Sequence, residues 1–308
     1  MLRTVSRCCH RIAARALPAN KFPAFERFNT RWKGSSMNLI TRVLLLLAAA
    51  IYTIIAGGPL VWIADMSLRS TQEILANPYG LPSAPQWHNY AAAWSDASYG
   101  VYFKNSTIVV ACSVTLVTLI GAMAAHGLAR YQFRWKNAVF MLLFSSILFP
   151  PQLTIIALFQ MLVEYGLINS LVGLICVYVA IHLPLTVYLL EGFFSQIPQD
   201  LYDAAKMDGY SNYEIFWRIT LPIGIPAVAT TVILNLIDMW NEFLYAVVII
   251  TDDEKRTLPL GIMKFLGDYQ TDYALLATGL MISVIPVIVL YALFSERVVR
   301  GMTAGAIK

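Results

Sequence analysis

The chain has 308 residues, 58% of them hydrophobic and only 13% charged, with a mean hydropathy of +0.63. A water-soluble domain carries roughly 25% charged residues, so this much apolar surface cannot be hidden in one aqueous core, and the chain reads as a membrane protein. The net charge of +4 comes largely from the N-terminal end, and no basic stripe is interleaved with aromatics, which excludes a nucleic-acid partner. Cys8 and Cys9 are adjacent, while Cys112 and Cys176 lie alone inside apolar runs, a pattern that suits neither a disulfide framework nor a metal site.

Residues 1–36 form a basic extension with eight Lys/Arg against one acid, Glu26, and with Arg3, Arg7, Arg11 and Arg15 at helical spacing. Two readings stand side by side: an organelle transit peptide, or an over-long start with Met37 as the initiator of a membrane domain at 37–308. The extension carries no identifiable chemistry and is expected to be non-native or disordered.

A bilayer core takes about 20 apolar residues as a helix, and six stretches reach that length. They are 43–64, the run between Lys104 and Arg130, the run between Lys136 and Glu164, the run from Leu171 to Glu191, 223–250 and 273–295. An all-α, six-span polytopic protein follows, with both termini on one side. Placing the termini in the cytoplasm leaves seventeen Lys/Arg in inner segments against five in outer loops, the bias expected of cytoplasmic loops. Prolines interrupt several spans: Pro150 and Pro151 the third, Pro184 the fourth, Pro226 the fifth and Pro286 the sixth. Gly121, Ala122, Ala124, Ala125 and Gly127 crowd the second span and would let helix backbones approach closely. In the outer loop 65–104, Trp87, Tyr90, Trp94, Tyr99 and Tyr102 read as an interfacial aromatic belt or a dock for a soluble partner.

Between spans four and five the composition turns polar. Residues 198–222 read as two short helices joined by a hinge, within an inner loop at about 196–222. Pro198 and Asp200 suit the start of the first helix, and Gly209 suits a left-handed C-terminal position. Ser211 and Glu214 have the S-x-x-E spacing of a capping box that opens the second, which carries Ile215, Phe216 and Ile219 toward Pro222. Ala204 and Ala205 are two small side chains beside the turn and leave a notch for another surface. A docking knob for a soluble partner and a helix pair lying on lipid headgroups both fit these features.

The segment resembles the EAA motif of the permease subunits of bacterial ABC importers: E-A-A, three residues, G, nine residues, I-x-L-P. Here it reads Asp203-Ala204-Ala205, Gly209 after Lys206-Met207-Asp208, and Ile219-Thr220-Leu221-Pro222, with Asp in place of the leading Glu. "WNEFLYA" at 240–246, "LPLGI" at 258–262 and the ending "RGMTAGAIK" are similar to the carbohydrate branch, which includes the maltose and glycerol-3-phosphate importers. The resemblance covers about 38–308. It implies a sugar permease in the bacterial cytoplasmic membrane, working by alternating access. A second permease would complete a heterodimer, an ATPase dimer would bind ATP-Mg, and an extracytoplasmic binding protein would deliver solute. Asp203, Ala204, Ala205, Asp208, Gly209, Ile219, Leu221 and Pro222 would form the coupling helix that engages the ATPase. The chain itself has no G-x-x-x-x-G-K-[ST], H-E-x-x-H or C-x-x-C, so no catalytic residue, metal or cofactor is expected in it.

Asp238 and Glu242 stand four apart in span five, one turn of a single helix face. An acid at the bilayer centre costs about 2.5–3.5 kcal/mol on insertion scales, so both are expected to face protein or water. With Trp240, Asn241 and Tyr245 they are candidates for the pathway or its gate, or for pairing with a neighbouring helix. His126 and His182 are expected to make interhelical hydrogen bonds. A permease for an amino acid or polyamine is the nearer alternative function; an intramembrane enzyme is the more distant one.

Overall fold

The computed structural model describes residues 39–266 and 271–306. The basic extension lies outside them, so neither reading of it is addressed. The chain divides into two units, 1–60 and 61–308. The described part of the first is the start of helix α1 (Leu39–Ser67), a charge-poor apolar stretch with Pro59 inside it.

Within the second unit, α2 (Thr71–Ala76) and α3 (His88–Ala91, continued by a π turn) occupy the loop after α1. The helices α4 (Tyr99–Arg130), α5 (Lys136–Ile147), α6 (Pro151–Glu164) and α7 (Leu171–Phe194) follow. Next come α8 (Gln199–Met207), α9 (Asn212–Trp240), α10 (Leu244–Ile249), α11 (Leu258–Gly261) and α12 (Tyr273–Ala306). Among the described residues, five helices are long and apolar enough to cross a membrane: α1, α4, α7, α9 and α12.

The expected third span is two helices instead of one, of 12 and 14 residues. The cause is the pair of prolines. A residue preceding proline is pushed out of the α region, so Pro150 is extended, at φ −61° and ψ 132°, and Pro151 opens a fresh helix in its first turn. The single prolines Pro184, Pro226 and Pro286 leave their helices continuous. At Pro226 the first turn beyond is braced by Thr230 and Thr231, whose hydroxyls donate back to Pro226 O and Ala227 O.

Close approach organises the packing of α4 on α7. A Cβ at Gly121 would lie 2.5 Å from Thr186 Cγ2, so only glycine fits there. Ala122 and Ala125 are buried in the same contact, whereas Gly127 faces open space. Thr186 in turn accepts a hydrogen bond from Asn235 Nδ2 at 2.8 Å, which joins α7 to α9. Two apolar clusters lie along α4. One, near its start, gathers Tyr99, Tyr102, Val109, Tyr178, Trp240 and Phe265. Tyr99 and Tyr102 are therefore core, not members of an aromatic belt; Trp87 and Trp94 are exposed. The other, near its end, gathers Leu128, Leu190, Phe194, Tyr202, Ile215 and Phe216.

Candidate functional site

The polar segment is built on that second cluster. Helix α8 starts after Pro198 with Asp200 in its first turn, and it ends in a complete glycine cap. Gly209 has φ +83°, its N–H donates to Lys206 O, and Tyr210 N–H reaches back to Ala205 O, each at 3.0 Å. This pair of bonds is the Schellman arrangement, which satisfies carbonyls left over at a helix end. The capping box forms as its spacing predicts: Glu214 N–H donates to Ser211 Oγ at 3.3 Å and Ser211 N–H donates to Glu214 Oε2 at 3.1 Å. The second arm does not stop at Pro222. It is the first part of α9 and continues into the span through a π turn at Phe216–Thr220.

Exposure separates the motif residues. Asp203, Ala204, Asp208 and Gly209 lie on the open face, and Asp203 accepts a bond from Gln199 Nε2. Ile219 and Leu221 are partly buried and Pro222 is exposed. Ala205 corrects the expectation of a two-alanine notch: it is 4% exposed, packed inward with Tyr202 and Ile215. Only Ala204 is available to an outside surface. Each buried side chain of the Phe or Ile class contributes about 1.5–3 kcal/mol, so Ile215 and Phe216 bind the segment firmly to the helices beneath.

Sequence reasoning missed the residues that fasten the segment. Arg130, the last residue of α4, donates through Nη2 to Phe194 O and, at 2.7 Å, to Ile197 O. Its guanidinium carbon sits 3.9 Å from the centre of the Tyr202 ring. One turn earlier, His126 Nδ1 shares a 3.0 Å hydrogen bond with Thr220 Oγ1, which shares another of 3.0 Å with Tyr202 Oη. His126 thus makes the interhelical bond expected of it. A cavity of about 20 Å³ lies between these groups, lined also by Tyr131, Gln199, Lys206 and Asn212. Burial, reinforced by Tyr202 nearby, pushes the Tyr131 phenol above its ordinary range.

The second set of candidate residues is not one helix face. Helix α9 ends at Trp240 with Asn241 as its cap, and α10 begins only at Leu244. Asp238 therefore lies in the last turn of α9 and Glu242 in the break beyond it. Glu242 makes that break possible. Its carboxylate accepts from Tyr245 N–H at 2.7 Å and Ala246 N–H at 3.2 Å, capping α10, and from Tyr178 Oη at 2.7 Å. Trp240 is buried and donates from Nε1 to Ser283 O on α12. Tyr245 is buried in the same cluster. Asn241 is exposed and bonds back to Ile237 O. Asp238 differs from all of these: its side chain is 77% exposed, although His182 Nε2 approaches it at 3.4 Å. His182 is oriented by its other ring nitrogen, 2.8 Å from Tyr178 O. The structure places Trp240 and Tyr245 in the core, half-buries Glu242 against them, and leaves Asp238 and Asn241 on an open surface.

Comparison with known proteins agrees with this architecture. Residues 117–303 match the family described as binding-protein-dependent transport system inner membrane component. The diacetylchitobiose uptake system permease protein NgcG of Streptomyces coelicolor is 36% identical, over 87% of this chain and 88% of its own. The trehalose/maltose transport system permease protein MalG of Thermococcus litoralis is 32% identical, over 88% and 98%. Among solved structures, a bacterial ABC transporter involved in the import of the acidic polysaccharide alginate superposes with a TM-score of 0.75, covering 85% of this chain and 98% of that one at 20% identity.

Proposed function

The chain belongs to the family of binding-protein-dependent transport system inner membrane components, and from that premise we propose that it forms half of the transmembrane pathway of an ATP-driven sugar importer. It is a transport subunit, not an enzyme. The solute class rests on relatives named for diacetylchitobiose and for trehalose and maltose. In this reading residues 37–308 form the transmembrane domain, and α5 and α6 together make one broken crossing, giving six spans with both termini in the cytoplasm of a bacterial inner membrane. The Lys/Arg bias of the inner segments supports that orientation.

The observation that carries the reading is the segment from Gln199 to Pro222. It is a stiff, self-capped helical corner with Asp203, Ala204, Asp208 and Gly209 on its open face. Such a corner suits the cleft of an ATPase subunit: closure of an ATPase dimer around ATP-Mg would push it, and the spans would reorient. A second permease would cover the open side of α9, where a carboxylate such as that of Asp238 needs water or protein around it. Asp238 and Asn241 are the residues free to meet solute or that partner, while Trp240, Glu242 and Tyr245 form the frame behind them. An extracytoplasmic binding protein would deliver the sugar.

The test is reconstitution in vesicles. The purified chain alone should hydrolyse no ATP. Together with its partner permease, ATPase and binding protein it should take up labelled oligosaccharide and leave amino acids and polyamines outside. Hydrolysis by the isolated chain, or uptake of an amino acid in preference to sugar, would overturn the assignment.

A further inference from the structure

We propose that Arg130 and Tyr202 form the fastening through which movement of the polar segment reaches the membrane helices, with Arg130 as the positioning residue of the transport cycle. This deepens the coupling-segment reading and rests on it. Two attachments converge on one residue of α8, and a third carries the second of them on to α4. The ring face of Tyr202 receives the Arg130 guanidinium at 3.9 Å. Its hydroxyl meets Thr220, in the opposite arm of the segment, at 3.0 Å. Thr220 in turn meets His126 of α4 at 3.0 Å. Two successive turns of α4, at His126 and Arg130, thereby hold both arms at once.

The same guanidinium closes the end of α7. Helix C-termini leave carbonyls without partners and carry partial negative charge. Arg130 Nη2 donates to Phe194 O, in the last turn of α7, and to Ile197 O just beyond it. A single planar cation so joins the ends of α4 and α7 to the segment between α7 and α9. Ordinary apolar packing would hold the corner in place yet permit sliding. A stacked cation with directional bonds does not slide, and a lysine at the same place could not stack and bridge two carbonyls together.

Tyr202 and Thr220 are buried behind the open face that carries Asp203, Ala204 and Asp208, and Arg130 is half-buried beside them, with Gln199 between its guanidinium and Asp203. Arg130→Met is therefore expected to retain the ATPase subunit and to hydrolyse ATP, while sugar moved per ATP falls at least tenfold. Arg130→Lys should fall between Met and wild type. Thr220→Val, a milder change that cuts only the His126–Thr220–Tyr202 chain, should lower the same ratio about threefold. The measurement is sugar uptake divided by phosphate released in the complete reconstituted complex, with co-purification of the ATPase for every variant. If Arg130→Met fails to insert, Thr220→Val decides. An unchanged ratio in the variants that insert overturns the fastening. The parallel variant Ala204→Trp separates the two ideas: if it binds the ATPase and transports like wild type, the coupling-segment reading itself is lost.

Discussion

Two corners of this molecule interrupt helices, and they are made by opposite means. The corner at 208–211 lies on the surface and is written in adjacent residues: a glycine at φ +83° and a serine and glutamate three apart. The corner at 241–243 leaves Asn241 and Phe243 exposed, holds Glu242 half-buried against the core, and contains neither glycine nor proline. It exists because Glu242 turns back onto the N–H groups of Tyr245 and Ala246 and is held there by Tyr178, 64 residues earlier in the chain. A surface corner can rely on local code, since water serves whatever backbone groups remain. At the second corner the N–H groups to be served belong to the buried residues Tyr245 and Ala246, so a carboxylate held by another helix must complete it.

The contrast can be broken most directly at Glu242. Glu242→Leu leaves three donors without an acceptor, each costing about 1–3 kcal/mol when buried. We expect a loss of about 3 kcal/mol or more, read as a lowered midpoint of thermal unfolding in detergent and a lowered yield, with Glu242→Gln recovering part of it. Were Glu242→Leu stable but inactive in transport, the carboxylate would belong to the pathway and not to the corner. At the surface corner the largest effect should come from Gly209→Val. No atom lies within 4 Å of a Cβ placed there, so the penalty is backbone strain alone, about 1–3 kcal/mol. It should appear as faster proteolysis between α8 and α9 while the spans stay folded, and Gly209→Asn should be milder. The smallest effect is expected from Ser211→Ala, about 1 kcal/mol for a lost cap, seen as faster amide exchange at Glu214. A reversal of this order would show that surface and core corners are not distinguished by where their partners come from.

The same distinction sets what could be read in the sequence. Gly209, Ser211, Glu214, Pro198 and Asp200 all do what their spacing announced, because helix caps are contracts between neighbours. The small residues of α4 announced a close helix contact, and Gly121 against Thr186 is that contact. The failures are long-range. Periodicity carried the fifth span through Asp238 and Glu242 as one face, since nothing local marks the break that Tyr178 sustains. An amphipathic pattern of nine residues does not say which alanine points inward, so Ala205 reads as open surface in the sequence. Arg130 read as a charge flanking a span, because its partners, Phe194 O, Ile197 O and Tyr202, are more than sixty residues away. Tandem prolines and single prolines look alike in the sequence as interruptions. Only the constraint of one proline upon the other explains why Pro150–Pro151 alone divides its helix.

That division bears on how the protein is made. At 1.5 Å per residue, α5 and α6 reach about 18 Å and about 21 Å, against a hydrocarbon core of about 30 Å. Neither would stay across a bilayer by itself as it leaves the ribosome. The nascent chain would have to be held at the insertion channel until both halves, and then α7, had emerged to lean on. Translation past residue 194, the end of α7, would become the moment at which this part of the protein commits to the membrane.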